Sequence, residues 1–348
     1  MSTGARSSAR PRWIAAGLLA VGASLVLGVA VGPISLPPLR VAAELLDHIP
    51  FVDIDSGLTP TEANIVWLVR LPRVVLALLV GAMLALAGGC YQGVFRNPLA
   101  DPMLLGVASG AGLGATLFIT ARAAGMPAAQ GVLPIAAFAG AVGALMLTYL
   151  IGGVKSGGRN PTRLILAGVA VTSLLSAVQT YVQQRNADAI RQVYSWLLGR
   201  LSVSGWEEVL TVLPYVAVTT AVVLVMRREL DVLTVGDDEA AGLGLHPQRS
   251  RYILLAAASL GTAAAVSVAG LIGFVGIVVP HIVRLLAGPS YRSILPLSVL
   301  FGGTFLVLAD LVARTAVAPG ELPIGVVTAF AGAPFFILVM RTTRQEAV

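Results

Sequence analysis

The sequence is poor in the residue types that chemistry at an active site draws on. Only 11% of its 348 residues are charged, less than half of the roughly 25% usual in a soluble domain. A single cysteine, Cys90, excludes a disulfide or a multi-cysteine metal centre within one chain. Set in an apolar run, it reads as a small packing residue. Lys155 is the only lysine, and its neighbours do not form a G-x-x-x-x-G-K-[ST] loop. The chain therefore cannot hydrolyse ATP by the usual P-loop route. His48, His246 and His281 lie in unrelated segments with no H-x-x-x-H pair, and no G-x-S-x-G elbow is present. The net charge of +6 is spread over short loops without an aromatic-interleaved basic stripe, which argues against a nucleic-acid partner.

What fills the chain is apolar. Hydrophobic residues make up 57% and glycines number 38, a level ordinary where helices pack closely in lipid. Polar breaks define about ten apolar runs, near 13–32, 71–95, 102–121, 131–152, 162–184, 205–226, 251–269, 273–287, 293–313 and 323–341. Most approach the ~20 residues a bilayer requires. The expected fold is all-α, one polytopic transmembrane domain over residues 1–348.

The first run follows Arg6, Arg10 and Arg12, as a signal peptide would, but its length and the spans behind it suit a retained helix. With the N-terminus inside, fifteen of the 23 basic residues fall on inner segments and the other eight on outer ones. The positive-inside rule then places both ends in the cytoplasm of a cell (inner) membrane. Segment 33–62 reads as an irregular outer loop. Segment 188–201 reads as a short interfacial helix carrying Tyr194 and Trp196. A faint inverted repeat pairs the run ending at Gly89 with the run ending at Leu271.

The stretch 88–114, GGCYQGVFRNPLADPMLLGVASGAGLG, has the most local detail. Arg96 complements the dipole at one helix end, and Asn97-Pro98 stops that helix. Asp101 and Pro102 read as the N-cap and first position of the next. Gly106, Gly110 and Gly114, spaced by four, leave one helix face bare for close approach by another.

RLPR at 70–73, NPLADPMLLGVASGAGLGA at 97–115, VGDDEAAGLGL at 235–245, GFVGIVVPHIVRLL at 273–286, LADLVAR at 308–314 and ELPIGVVTAFAGAPFF at 321–336 follow one another along the chain. Together they resemble the permease family of ABC importers for iron–siderophore, haem and cobalamin. The resemblance implies a cobalamin-importer-type permease fold, with two copies of the chain flanking one passage. It implies two ATP-binding subunits on the cytoplasmic side, which carry ATP and magnesium, and an extracytoplasmic substrate-binding protein. No cofactor is implied in this chain. The implied cargo is a metal chelate, with ferric siderophore first and haem or cobalamin as alternatives.

Three groups of residues carry that expectation. In the charge-dense inner loop 227–251, Asp237 reads as an N-cap, with Asp238 and Glu239 in the first turn. Ala240, Ala241, Gly242 and Leu243 follow, and Gly244 stops the helix. Charge patterning alone fits a solvated loop; the resemblance makes it the segment that couples to the ATPase. Arg70, Arg73 and Arg314 read by position as snorkelling anchors. By resemblance they are charges that dock the binding protein.

Thr172, Ser176, Gln179 and Gln183 draw a polar stripe at helical spacing, with Ser173 and Thr180 beside it. Such groups also bond packed helices together; the resemblance makes this helix a wall of the passage. Asp310 stands inside an apolar run four residues before Arg314, spaced to pair with it. A proton-coupled secondary transporter would need more such groups.

Overall fold

The computed structural model describes residues 9–32, 35–48, 54–127, 131–152, 161–201, 205–318 and 320–345. Among them are fifteen α-helices and no strand. In chain order they are α1 (Ala9–Ala30), α2 (Pro38–Asp47), α3 (Pro60–Ile65), α4 (Leu71–Phe95), α5 (Val107–Ala123), α6 (Val132–Gly152), α7 (Pro161–Arg185) and α8 (Ile190–Leu197). They continue with α9 (Glu207–Val225), α10 (Arg227–Leu233), α11 (Asp237–Gly242), α12 (Pro247–Ala269), α13 (Val275–Ala287), α14 (Tyr291–Thr315) and α15 (Ile324–Gln345). Seven helical stretches, those containing α1, α4, α6, α7, α9, α12 and α14, are long and apolar enough to cross a membrane. With α5, α13 and α15, they coincide with the ten expected runs. Arg6, Lys155 and Arg159 of the expected inner charge lie outside the described residues.

A helix that is apolar all round belongs in a core, and α4 takes that place. Its most apolar window is 83% buried, against 17% for that of α7. Helix α4 packs on α9, α12, α13 and α14. A Cβ on Gly88 would strike the carbonyl of Gly276, so the backbones of α4 and α13 touch. Helices α5 and α6 meet the same way. A Cβ on Gly110 would strike the carbonyl of Gly140, and one on Gly114 that of Ala136.

Three local expectations are corrected. Helix α5 begins at Val107 rather than Pro102. The Asp101 carboxylate instead accepts the Met103 N–H at 2.8 Å within a run of turns. Those turns end at Gly106, whose φ of +84° suits glycine; it caps α5 and lies against Thr148 and Ala144 of α6. Segment 33–62 holds α2 and the start of α3, where an irregular loop was expected. Thr59, Pro60 and Glu62 form a capping box with proline at the first helical position. Buried Glu44 on α2 accepts Trp67 Nε1–H at 2.9 Å and the Ser56 hydroxyl at 2.5 Å. The expected helix at 188–201 ends at Leu197. Beyond it, Leu198 and Gly199 accept the N–H groups of Gly325 and Ile324 at 3.0 and 3.2 Å, and the Arg200 N–H donates to Ala269 at 2.9 Å. These bonds wedge a strap between α12 and α15.

Candidate functional site

Alternation of the long helices places the C-termini of α4, α9 and α13 together with α10 and α11. This end is called inner, after the arginine count.

At the inner end, α4 terminates on Arg96 in the left-handed region, φ +51°. Its Nε donates to the carbonyl of Leu233, the last residue of α10, at 2.8 Å, and its Nη2 pairs with Asp237 Oδ1. Arg251 on α12 grips the same carboxylate, Nη2 at 2.9 Å and Nη1 at 3.3 Å. Burial pushes the Asp237 carboxyl up, but the hydrogen bonds and charges of Arg251 and Arg96 outweigh it and hold it below the usual carboxylate range. Gly236, not Asp237, caps α11; Asp237 is its first residue and turns toward the bundle. Ala240 is fully buried beside it, so the expected coupling segment divides. Asp237 and Ala240 face the body, while Asp238, Glu239, Ala241, Gly242, Leu243 and Gly244 are exposed. Leu243 is 70% exposed.

The loop has a second tie. Asp231 on α10 accepts the Tyr291 N–H at 2.6 Å and the Ser290 hydroxyl at 2.9 Å, placing a carboxylate on the N-terminus of α14. Deeper in, Gln92 donates to the Gly276 carbonyl at 3.1 Å and accepts from Arg284 at 2.9 Å. Neither Asp231 nor Gln92 was expected from the sequence, where each is one polar residue without a spacing partner.

At the outer end the three arginines turn inward. Arg70 Nη1 donates to the carbonyls of Val29 and Ala30 at 2.9 and 3.1 Å. Arg314 donates to Gly28 and Val31 at 2.8 and 3.2 Å. These are carbonyls at the C-terminus of α1, several of which no helical N–H can reach. Buried guanidinium groups thus cap carbonyls at this helix end, where Ala30 also accepts the Leu36 N–H at 2.9 Å. Arg73 reaches Asp310 Oδ1 through Nε and Nη2, and both oxygens of Glu321 at 2.9 Å each. Arg314 Nε stands 3.0 Å from Asp310 Oδ2, an ion pair without hydrogen-bond alignment. Free outward charge at Arg70 and Arg314 is therefore a corrected expectation. Arg73 also pairs with an exposed carboxylate, Glu321.

The polar stripe on α7 splits. Gln179 and Gln183 are buried, while Ser173, Ser176 and Thr180 are exposed and Thr172 is half-buried. Ser173 and Thr180 bond the carbonyls of Val169 and Ser176 on their own helix, at 3.0 and 2.9 Å. Gln179 faces Gly112 on α5. His281 packs edge-on against Phe335, ring centroids 5.8 Å apart, and Cys90 is buried. Among the described residues, no three of His, Cys, Asp or Glu stand together as a metal site.

A family model described as the FecCD transport family matches residues 18–342. The cobalamin import system permease protein BtuC of Halobacterium salinarum is 47% identical over 84% of this chain and 77% of its own length. The Fe(3+)-citrate import system permease protein YfmD of Bacillus subtilis is 36% identical, covering 98% of this chain and 97% of that one. Among solved structures, a metal-chelate type ABC transporter in an inward-facing conformation matches with a TM-score of 0.82 and 30% identity, over 95% of this chain and 99% of that one. With ten apolar helices in the expected order and the match spanning nearly all of them, the chain belongs to the FecCD transport family.

Proposed function

We propose that two copies of this chain form the membrane passage of an ATP-driven importer of a metal chelate in the cytoplasmic membrane, with both chain ends in the cytoplasm. Family membership and the relatives' names, an iron-citrate and a cobalamin permease among them, support the transport role. The observation that carries the coupling is α11. It is tied to the bundle through Asp237, yet leaves Leu243 and two glycines exposed at the inner surface. A short helix with an apolar tip and small neighbours fits a groove on a partner. That partner is a separate ATP-binding subunit, two per importer, which binds ATP and magnesium.

Helix α7, largely uncovered and carrying exposed Ser173, Ser176 and Thr180, lines the passage. Hydroxyl groups without fixed charge suit a bulky chelate that must not be held tightly. An extracytoplasmic binding protein delivers the cargo at the outer rim around Arg73, with Arg70 and Arg314 holding the scaffold beneath it.

Ferric siderophore is the first cargo reading. Cobalamin is the second, favoured by the 47% identity to a cobalamin permease. The test is reconstitution of this chain with its ATP-binding and binding-protein partners in liposomes, followed by uptake of ferric siderophore, haem and cobalamin. ATP-dependent uptake of one of them is expected. Uptake that persists without ATP and follows a proton gradient would instead indicate a secondary transporter.

A further inference from the structure

We infer that Arg96 is the latch that joins the inner loop to the central helix of the bundle; the inference rests on the permease reading above. Its backbone is the first clue. The C-terminus of α4 leaves Arg96 at φ +51°, ψ +34°, a conformation that glycine adopts most easily. The other described non-glycine residue with positive φ is Phe274. A residue held in sparsely populated backbone space points to a role for its side chain.

That side chain does what glycine cannot. One guanidinium spans the C-terminus of α10, through the Leu233 carbonyl, and the N-terminus of α11, through Asp237. The Asp237 carboxylate is held from its other side by Arg251 at the start of α12. One carboxylate therefore joins α4 to α12 with the coupling helix seated between them. Asp231 fixes α10 to α14, and Glu229 accepts from Ser250. Of these ties, Arg96 is the one that leads into α4. Helix α4 touches α9, α12, α13 and α14, and its far end carries Arg73 in the outer charge network. A displacement of α11 by a docked ATP-binding subunit is thus passed to the helix with the most neighbours. Leu230 on α10 also packs on Gly93 of α4, but without the latch α11 keeps its tie to Arg251 and loses its own hydrogen bond to the end of α4.

The test is Arg96→Gly in the complete reconstituted importer. Glycine removes the side chain and suits the backbone, so a merely structural role and a latch give different readouts. The unfolding midpoint is expected to hold or rise, co-purification of the ATP-binding subunit to persist, and chelate imported per ATP hydrolysed to fall about tenfold. Arg96→Lys, which keeps a cation but loses the fork that reaches both partners, should fall in between. A wild-type import-to-hydrolysis ratio in Arg96→Gly overturns the latch. A lowered midpoint or a lost ATP-binding subunit also overturns it, by assigning Arg96 to fold or docking. A wild-type complex that shows no ATP-dependent import refutes the permease reading itself, and is told apart because it needs no variant.

Discussion

Arg73 and Asp310, 237 positions apart in the sequence, meet through two donors at 3.1 and 2.9 Å beneath the outer surface. Asp310 is 1% exposed and also faces Arg314, so one carboxylate pairs with two guanidinium groups where α4 and α14 cross, and Glu321 adds the second negative charge. This engagement fits a structural counter-ion. Removing one partner of a buried ion pair costs about 3–5 kcal/mol. Asp310→Asn is expected to lower the unfolding midpoint of the detergent-purified protein by an amount in keeping with that cost. An unchanged midpoint would show that the network carries no stability.

The exposed arm of the same network should behave differently with pH. Hydrogen bonds from Arg73 come first, then desolvation opposes them, and the charges of Arg73 and Arg314 add to the pull; together they hold the Glu321 carboxyl below the usual range. A depressed folded-state pKa stabilises above the unfolded value, about 4.3, and that stabilisation is lost as pH falls through the lower folded value. The Glu321→Gln variant should thus melt slightly below wild type at neutral pH, with the gap closing on acidification. A half-exposed pair is worth about 0–1 kcal/mol, so the midpoints must be measured in parallel. A gap that stays constant to the lowest accessible pH would contradict this.

Two glycines beside the α5–α6 contact predict opposite outcomes. A Cβ at Gly110 strikes the backbone of Gly140, whereas one at Gly143 meets nothing within 4 Å. Gly110→Ala is expected to destabilise by roughly 1–3 kcal/mol through overpacking. Gly143→Ala should be neutral or stabilising by up to about 1 kcal/mol, from reduced backbone freedom. Equal midpoints for the two variants would mean that the helices do not meet at Gly110.

Labelling along α7 separates its two polar faces. Single cysteines at Ser173, Ser176 and Thr180 should react with a water-soluble maleimide in the assembled importer, while those at Gln179 and Gln183 should stay silent. The buried native Cys90 gives no background. Reaction at Gln179 with silence at Ser176 would reverse the assignment of the passage face.

Docking at the inner loop is read at its tip. Leu243→Asp puts a charge into a contact that would have to desolvate it, so co-purification of the ATP-binding subunit should drop about tenfold or more. Retention at the wild-type level would move the docking site elsewhere on the loop.

Much of this was legible in the residues themselves. Run length and apolarity located the ten apolar helices, and the small-residue spacing at Gly110 and Gly114 pointed to a close helix contact. The capping box at Thr59 was not read, because the proline-bearing segment around it read as loop. The inward turn of Arg70 and Arg314 was not legible, for a physical reason. An arginine at a helix end has the same sequence signature whether it snorkels to water or caps a neighbour's carbonyls, and the neighbour here is α1, tens to hundreds of residues away.

The stripe on α7 divides for a similar reason. Thr172, Ser176, Gln179 and Gln183 do share a helical spacing, yet Ser176 is exposed and Gln179 is covered by α5 and the residues near α8. Spacing shows which residues lie near one another on a helix; the cover comes from elsewhere.

By itself the sequence determined a membrane-spanning helical bundle and its family, because lipid forces backbone hydrogen bonds inside each span and makes every span a long apolar run. Tertiary structure alone decided that Asp237 faces inward to Arg96 and Arg251, that Asp310 serves two arginines, and which glycines touch backbone. Those partners are brought together by packing between distant helices, and no local pattern of residue types encodes which helix lies alongside.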